Sequence, residues 1–258
     1  MKQLTFGDCV KKGWISSWQA ITQMPWLFVG VCAVFACTSL LSGRHPSAAA
    51  DTLDATARAA HGLISLAWFA LQLAVSGTLT IKVHRFVLLG EGTHPLVPLH
   101  GKPLGRYALV WLAISLVMVP VLVTLAVTHS PVLGLLVSVP LLVIGVFLVA
   151  RLSLLYPSVA LGGRLTWRAA WRDSRGHVWS IVGIWLVTYL PLFAITVLLI
   201  LFTGPRLVAA QRSAAEPVFA IVHAVFNGLF IAFGAASLSW LYRRYARELL
   251  PYAEDAPR

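Results

Sequence analysis

The chain has 258 residues, of which 59% are hydrophobic and only 11% are charged, and its mean hydropathy is +0.81. A soluble domain carries about 25% charged residues, so this composition excludes an ordinary soluble protein. The net charge is +11, from 20 Lys and Arg against 9 Asp and Glu. Because the basic residues flank apolar runs, anionic lipid is the expected partner and nucleic acid is not.

The first predicted element is an amphipathic helix over residues 5–23. Thr5 and Asp8 fit a capping box, in which a hydroxyl and a carboxylate satisfy free backbone N–H groups. Apolar residues recur every three or four positions on one face, namely Phe6, Val10, Trp14, Trp18 and Ile21. This aromatic face beside Lys11 and Lys12 predicts a helix in the membrane interface, with both lysines in contact with anionic lipid.

Six uncharged apolar runs follow, each near or above the ~18–20 residues that cross ~30 Å of hydrocarbon as a helix. They cover residues 26–43, 62–81, 107–128, 132–150, 178–204 and 218–242. A β-barrel strand would instead alternate over ~10 residues. The sequence therefore predicts an all-α integral membrane protein with six transmembrane helices. Cleavage of the first run as a signal peptide after Ala50 is disfavoured, because the 25 residues before that run are too long for a signal peptide's basic segment.

The distribution of Lys and Arg predicts the orientation of these spans. The segments before span one, between spans two and three, between spans four and five, and after span six carry 16 of the 20 basic residues. The positive-inside rule places this side in the cytoplasm, with both termini inside. Together with an Ala-, Leu- and Arg-rich composition, this pattern indicates a multi-pass protein of a bacterial cytoplasmic membrane.

A second interfacial helix is predicted over residues 164–175. Its arginines recur as one stripe beside a stripe of tryptophans, and they are Arg164, Arg168, Arg172 and Arg175. Arginines in such a helix reach lipid phosphates from the interface, so we expect these four to contact anionic headgroups. Docking of another anionic ligand or of a protein partner is the alternative. Asp173, which lies among the arginines, is expected to be an ion-pair partner.

The two interfacial helices belong to a predicted internal repeat. A shift of 153 residues superposes three pairs of tryptophans, namely Trp14 on Trp167, Trp18 on Trp171 and Trp26 on Trp179. Both segments lead into a span, so the repeating unit is an interfacial helix followed by a helical hairpin. Spans three and four would form a degraded middle copy. The units run in the same direction, unlike the inverted repeats of many secondary transporters.

Two stretches carry a family resemblance, Leu165–Trp179 before the fifth span and Arg151–Pro157 at the end of the fourth. They are similar to the cytoplasmic helices that lead into spans in a broad group of bacterial integral membrane proteins. This group includes the membrane domain found beside some glycerophosphodiester phosphodiesterases. The resemblance covers residues 80–200 and implies a fold type more than an activity. We expect no phosphodiesterase catalytic domain, because no residues remain to house one.

Motifs for catalysis are scarce. The sequence contains no G-x-x-x-x-G-K-[ST] phosphate loop, no H-E-x-x-H zinc motif and no G-x-S-x-G nucleophile motif. A group of polar residues after span two follows no metal-ligand spacing and is expected to be solvated loop, namely His84, Glu91, His94 and His100. The three cysteines fit neither zinc nor a redox pair. We therefore expect no enzyme activity, no cofactor and no metal.

Three polar side chains lie inside the predicted spans, namely Gln72, His223 and Asn227. Polar groups in lipid normally face the bundle interior, where they form either interhelical hydrogen bonds or a substrate or proton site. Prolines inside three spans are expected to kink them, namely Pro120, Pro140 and Pro191. Two function classes stay open. One is a non-enzymatic scaffold or accessory protein that binds lipid or a protein partner, and the other is a transporter of a small or amphipathic solute. An intramembrane enzyme is the least supported reading.

Span six carries small residues at intervals of four, namely Ala220, Ala224, Gly228, Ala232 and Ala236. Small side chains let helix backbones approach closely in lipid. This stripe predicts that span six is a buried helix packed against another helix of the same chain. Asn227 flanks the stripe and is expected to reach a neighbouring span.

Overall fold

The computed structural model describes residues 5–43, 55–90, 102–127, 131–209 and 212–249. Within these ranges the chain forms α-helices and no strand, which confirms the all-α class. The helices are α1 Phe6–Gln23, α2 Pro25–Gly43, α3 Ala55–Leu89, α4 Lys102–Val127, α5 Pro131–Leu152, α6 Leu155–Ala160, α7 Trp167–Asp173, α8 Val178–Ala209 and α9 Arg212–Tyr245.

The capping box at the start of α1 is confirmed. Thr5 Oγ1 accepts from the Asp8 N–H at 3.2 Å, and Asp8 Oδ2 accepts from the Thr5 N–H at 3.2 Å. The Thr5 hydroxyl also donates to Asp8 Oδ2 at 2.7 Å. This hydrogen bond and the one from the Thr5 N–H lower the pKa of the Asp8 carboxyl, because both stabilise its charged form. α1 ends just before Pro25, the first residue of α2, and the two helices meet at 90°. This is the angle between a helix that lies along a membrane surface and one that crosses it.

Within the described residues, five segments are long and apolar enough to cross a membrane, namely Gly62–Leu89, Pro103–Val121, Leu136–Ala160, Val178–Leu199 and Pro217–Tyr245. α2 passes as a sixth only when it is taken together with α1 across the bend. The described residues therefore form a multi-pass protein with five to six candidate spans. Several helices are longer than the apolar runs, as in α3, which covers Ala55–Leu89 and includes the charged residues on either side of the run 62–81. The cytoplasmic orientation of the termini and the internal repeat stay predictions.

α9 is the central helix of the bundle and packs against α1, α2, α3 and α8. All five residues of its small-residue stripe are buried, namely Ala220, Ala224, Gly228, Ala232 and Ala236. A Cβ atom added at Gly228 would lie 3.0 Å from the Phe28 ring and 3.1 Å from the Cys32 sulfur, both on α2. A side chain at position 228 would crowd Phe28 and Cys32, so the glycine lets α2 and α9 pack closely.

α1 packs against α9 through small residues that the sequence analysis did not single out. The buried positions of α1 are Cys9, Gly13, Ser16, Ser17 and Ala20. A Cβ atom added at Gly13 would lie 2.8 Å from Ser237 Oγ on α9. The aromatic face of α1 lies beside this contact. There Trp14 and Trp18 pack against the Phe233 ring in T-shaped geometry, at centroid distances of 4.6 and 5.7 Å. α1 therefore has a packed small face and a partly free aromatic face.

The larger buried core lies at one end of the bundle, which we call the basic end. This end comprises α1, α6, α7, the C-terminal ends of α3, α5 and α9, and the N-terminal ends of α4 and α8. Its core includes Tyr107, Leu154, Ile181 and Tyr242. Away from this end, α4, α5 and α8 expose many large apolar side chains. Such a surface would aggregate in water and is stable in contact with lipid hydrocarbon.

Candidate functional site

α7 carries the densest group of arginines and is shorter than predicted. The predicted helix covered residues 164–175, whereas α7 covers Trp167–Asp173. No side chain caps its first turn at Thr166, and the chain after it turns through Gly176, whose φ is +81°. A positive φ disfavours residues with a side chain, so the glycine lets the chain turn directly into α8. Arg164 and Arg175 therefore flank the helix instead of belonging to it.

The four predicted arginines are all exposed, namely Arg164, Arg168, Arg172 and Arg175. We call them, with the exposed rings of Trp167 and Trp171, the arginine surface. These two rings expose 36% and 41% of their area. Guanidinium groups bind phosphate oxygens through paired hydrogen bonds, and tryptophan rings favour the membrane interface. This arrangement can bind a phosphate while the rings rest among lipid headgroups.

Asp173 does not act as the predicted ion-pair partner within the arginine group. Its side chain is buried and accepts hydrogen bonds from three successive backbone N–H groups, those of Arg247, Glu248 and Leu249, at 3.0–3.1 Å. Burial makes these donors expensive to leave unpaired, which is why a carboxylate oxygen is placed there. The ion pair in this region is instead Arg172–Glu248, with Nη1 3.3 Å from Oε2. Asp173 therefore holds the segment after α9 against α7.

Other arginines at the basic end bind backbone carbonyls. Arg106 donates to the carbonyls of Gly162 and Gly163, at 3.2 and 3.0 Å. Arg151 donates to the Trp171 carbonyl at 2.9 Å, and Arg243 donates to the Leu88 carbonyl at 2.8 Å. Trp171 and Leu88 lie in the last turns of α7 and α3, where carbonyls lack a partner within the helix, so a cation beside them is stabilising. Arg106 instead binds the turn that follows α6. A basic residue directly beside an apolar run, before it for Arg106 and after it for Arg151 and Arg243, was the sequence signal for this role.

Lys11 and Lys12, the predicted lipid contacts of α1, are both exposed. The Lys12 ammonium lies 4.9 Å from the centre of the Trp240 ring, and the Arg243 guanidinium lies at the same distance from that ring. Trp240 in turn donates from Nε1 to Ser16 Oγ at 3.1 Å. Lys12 therefore lies at the α1–α9 contact, beside Trp240.

The three polar residues of the predicted intramembrane site do not share a hydrogen-bond network among the described residues. Gln72 on α3 donates from Nε2 to Thr38 Oγ1 on α2 at 2.5 Å. Asn227 and His223 pair with each other along α9, with Nδ2 3.2 Å from the nearer ring nitrogen. The first contact is the interhelical hydrogen bond expected of a polar group in lipid. The second joins two side chains one turn apart on α9, at an exposed part of the surface of that helix.

His84 lies in helix α3, not in the predicted loop. Its ring is fully buried, and Nδ1 lies 2.8 Å from Ser239 Oγ on α9. The Ser239 hydroxyl also lies 2.9 Å from the Ala235 carbonyl, which it meets as a donor. Nε2 is buried without a hydrogen-bond partner in the described part of the chain. The other members of the predicted group, Glu91, His94 and His100, lie outside the described residues.

Within the described ranges, no three His, Cys, Asp or Glu side chains lie close enough to hold a metal ion. No family model matches the chain, and neither a curated protein nor a solved structure shows significant similarity to it. The resemblance to the membrane domain beside glycerophosphodiester phosphodiesterases therefore stays a prediction. Apolar helices of spanning length define the class of this molecule, which is a multi-pass α-helical membrane protein.

Proposed function

We propose that this protein is a non-enzymatic scaffold or accessory protein of a bacterial cytoplasmic membrane that binds anionic phospholipid headgroups through the arginine surface. The observation that carries the proposal is the exposure of four arginines beside two partly exposed tryptophans on one short segment. Each basic residue near an anionic membrane contributes about 1 kcal/mol to binding. The tryptophans favour a lipid surface over an acidic protein, because they partition into the headgroup region.

The transport alternative needs Gln72, His223 and Asn227 to share a site. Their hydrogen bonds run instead to Thr38 and within α9. Each of these three polar side chains therefore has a nearby hydrogen-bond partner, which is what a polar group in an apolar setting requires. Lipid binding therefore remains the better supported function.

The test replaces Arg164, Arg168, Arg172 and Arg175 together by Gln and titrates the purified protein with phosphatidylglycerol, using native mass spectrometry. We expect an affinity loss of up to about a thousandfold, because four contributions of about 1 kcal/mol each are removed and every 1.4 kcal/mol is a factor of ten. Salt should weaken binding to the parent protein more than to the variant. Phosphatidylcholine, which carries no net charge, should bind both proteins alike.

The matched control replaces the four basic residues of the predicted outer segments by Gln, namely Arg44, Arg58, Arg206 and Arg212. It changes the net charge by the same amount and should leave phosphatidylglycerol binding close to that of the parent. Equal losses of phosphatidylglycerol affinity in both variants would mean that binding depends only on net charge, which would reject the arginine surface as the binding site. Unchanged binding in the first variant would reject the proposed function and leave an acidic protein partner as the next candidate.

A further inference from the structure

One arginine of the arginine surface already faces a carboxylate of the same chain. Arg172 Nη1 lies 3.3 Å from Oε2 and 3.5 Å from Oε1 of Glu248. Both side chains remain open to their surroundings, with 67% of Arg172 and 45% of Glu248 exposed. A carboxylate oxygen and a phosphate oxygen compete for the same guanidinium N–H groups. A carboxylate in this position can therefore compete with a phosphate for Arg172.

The backbone of Glu248 is fixed in this position by hydrogen bonds to Asp173. Its N–H donates to both carboxylate oxygens of Asp173 at 3.1 Å, and the N–H groups on either side donate to the same carboxylate. The next residue, Leu249, is fully buried, and its carbonyl accepts from the Tyr242 hydroxyl at 3.1 Å. Because this backbone is already ordered, the ion pair requires only the side chains to lose freedom.

We propose that Glu248 competes with anionic headgroups for Arg172, so that the segment after α9 limits the lipid affinity of the arginine surface. Asp173 is the positioning residue of this device, because it fixes the backbone from which the Glu248 side chain extends. The inference rests on the proposed function and names a regulation of the same surface. An exposed ion pair is weak, so Glu248 lowers the affinity and does not block binding.

The test is a double-mutant cycle of Glu248→Gln and Arg172→Gln, measured as phosphatidylglycerol affinity of the full-length protein by native mass spectrometry. Glu248→Gln should raise the affinity about two- to five-fold, the range that an exposed pair supports. In the Arg172→Gln background, the same change should have no effect, because the contested guanidinium is absent. Glu248 lies on the surface of a segment fixed by backbone contacts, so the variant should keep the parental melting temperature.

The outcomes separate this inference from the proposed function. If Glu248→Gln leaves the affinity unchanged, or raises it equally with and without Arg172, Glu248 is not a competitor and the inference fails. The fourfold arginine variant still decides the proposed function in that case. If the fourfold variant binds phosphatidylglycerol like the parent, the proposed function fails, whatever Glu248→Gln does.

Discussion

At the scale of single residues, Asp173 connects two parts of the chain that are distant in sequence. Its carboxylate accepts from Leu249 and the two residues before it, which lie 74 to 76 positions further along the chain. These N–H groups follow the end of α9, and the Leu249 N–H is buried, so leaving it without an acceptor would be costly. The ring of His177, near the start of α8, stacks on Tyr245 at a centroid distance of 4.4 Å and reinforces the same junction. The Asp173 carboxylate thus joins α7 to the segment after α9 at the basic end.

We predict that Asp173→Ala lowers the free energy of unfolding by about 3 kcal/mol, because a charged acceptor is removed and buried N–H groups lose their partner. The measurement is the melting temperature of the purified protein in detergent. Glu248→Ala is the matched control, since it removes a carboxylate of the same region that is exposed and should change stability by less than about 1 kcal/mol. Equal melting temperatures for Asp173→Ala and the parent would contradict the role given to Asp173.

At the scale of elements, the bundle is organised by small residues on α1 and α9. α9 meets α2 at Gly228 and meets α1 at the level of Ser237, where Gly13 leaves room. In hydrocarbon, helix association depends on close packing and hydrogen bonds, because lipid is as apolar as the side chains themselves. Close packing through these small residues therefore positions α9 between α1 and α2.

We predict that Gly228→Leu destabilises the protein by about 1–3 kcal/mol, because the added side chain must displace Phe28 and Cys32. Gly30→Leu is the matched control, since α2 has open space at that position within the described residues. Thermal melting in detergent compares the two variants. If Gly228→Leu melts with the parent and Gly30→Leu, the alanine and glycine stripe reflects composition only.

At the scale of the whole molecule, the segments rich in Lys and Arg meet at one end. α1, the end of α3, α7 and the end of α9 are joined there by direct contacts, among them Ser16–Trp240, Leu88–Arg243 and Asp173–Arg247. Six spans with both termini on one side would produce this arrangement, because every second connection returns to that side. The positive-inside rule predicts that this end lies in the cytoplasm.

The predicted orientation is tested by fusing a reporter that is active only in the periplasm. Fusions after Ala55, Thr128 and Ala210 should be active, and fusions after Thr93, Ser174 and Ala253 should be inactive. Ser174 is the decisive site, because it adjoins the densest group of arginines. Activity there would contradict the six-span topology. A cytoplasmic reporter, such as a fluorescent protein that matures only inside the cell, should give the inverse pattern at all six sites.

Local patterns in the sequence determined the helical class, the apolar runs, the capping box at Thr5 and Asp8, and the small-residue stripe of span six. Each depends on residues within a single helix, so hydropathy and periodicity are enough to find it. The partners of Asp173 and His84 were decided by the tertiary structure, since their hydrogen bonds join residues 74 to 155 positions apart. The same is true of Arg172, whose neighbour Glu248 is brought to it by the way α9 ends against α7. Such contacts depend on how helices pack, and no single helix encodes the position of its neighbour.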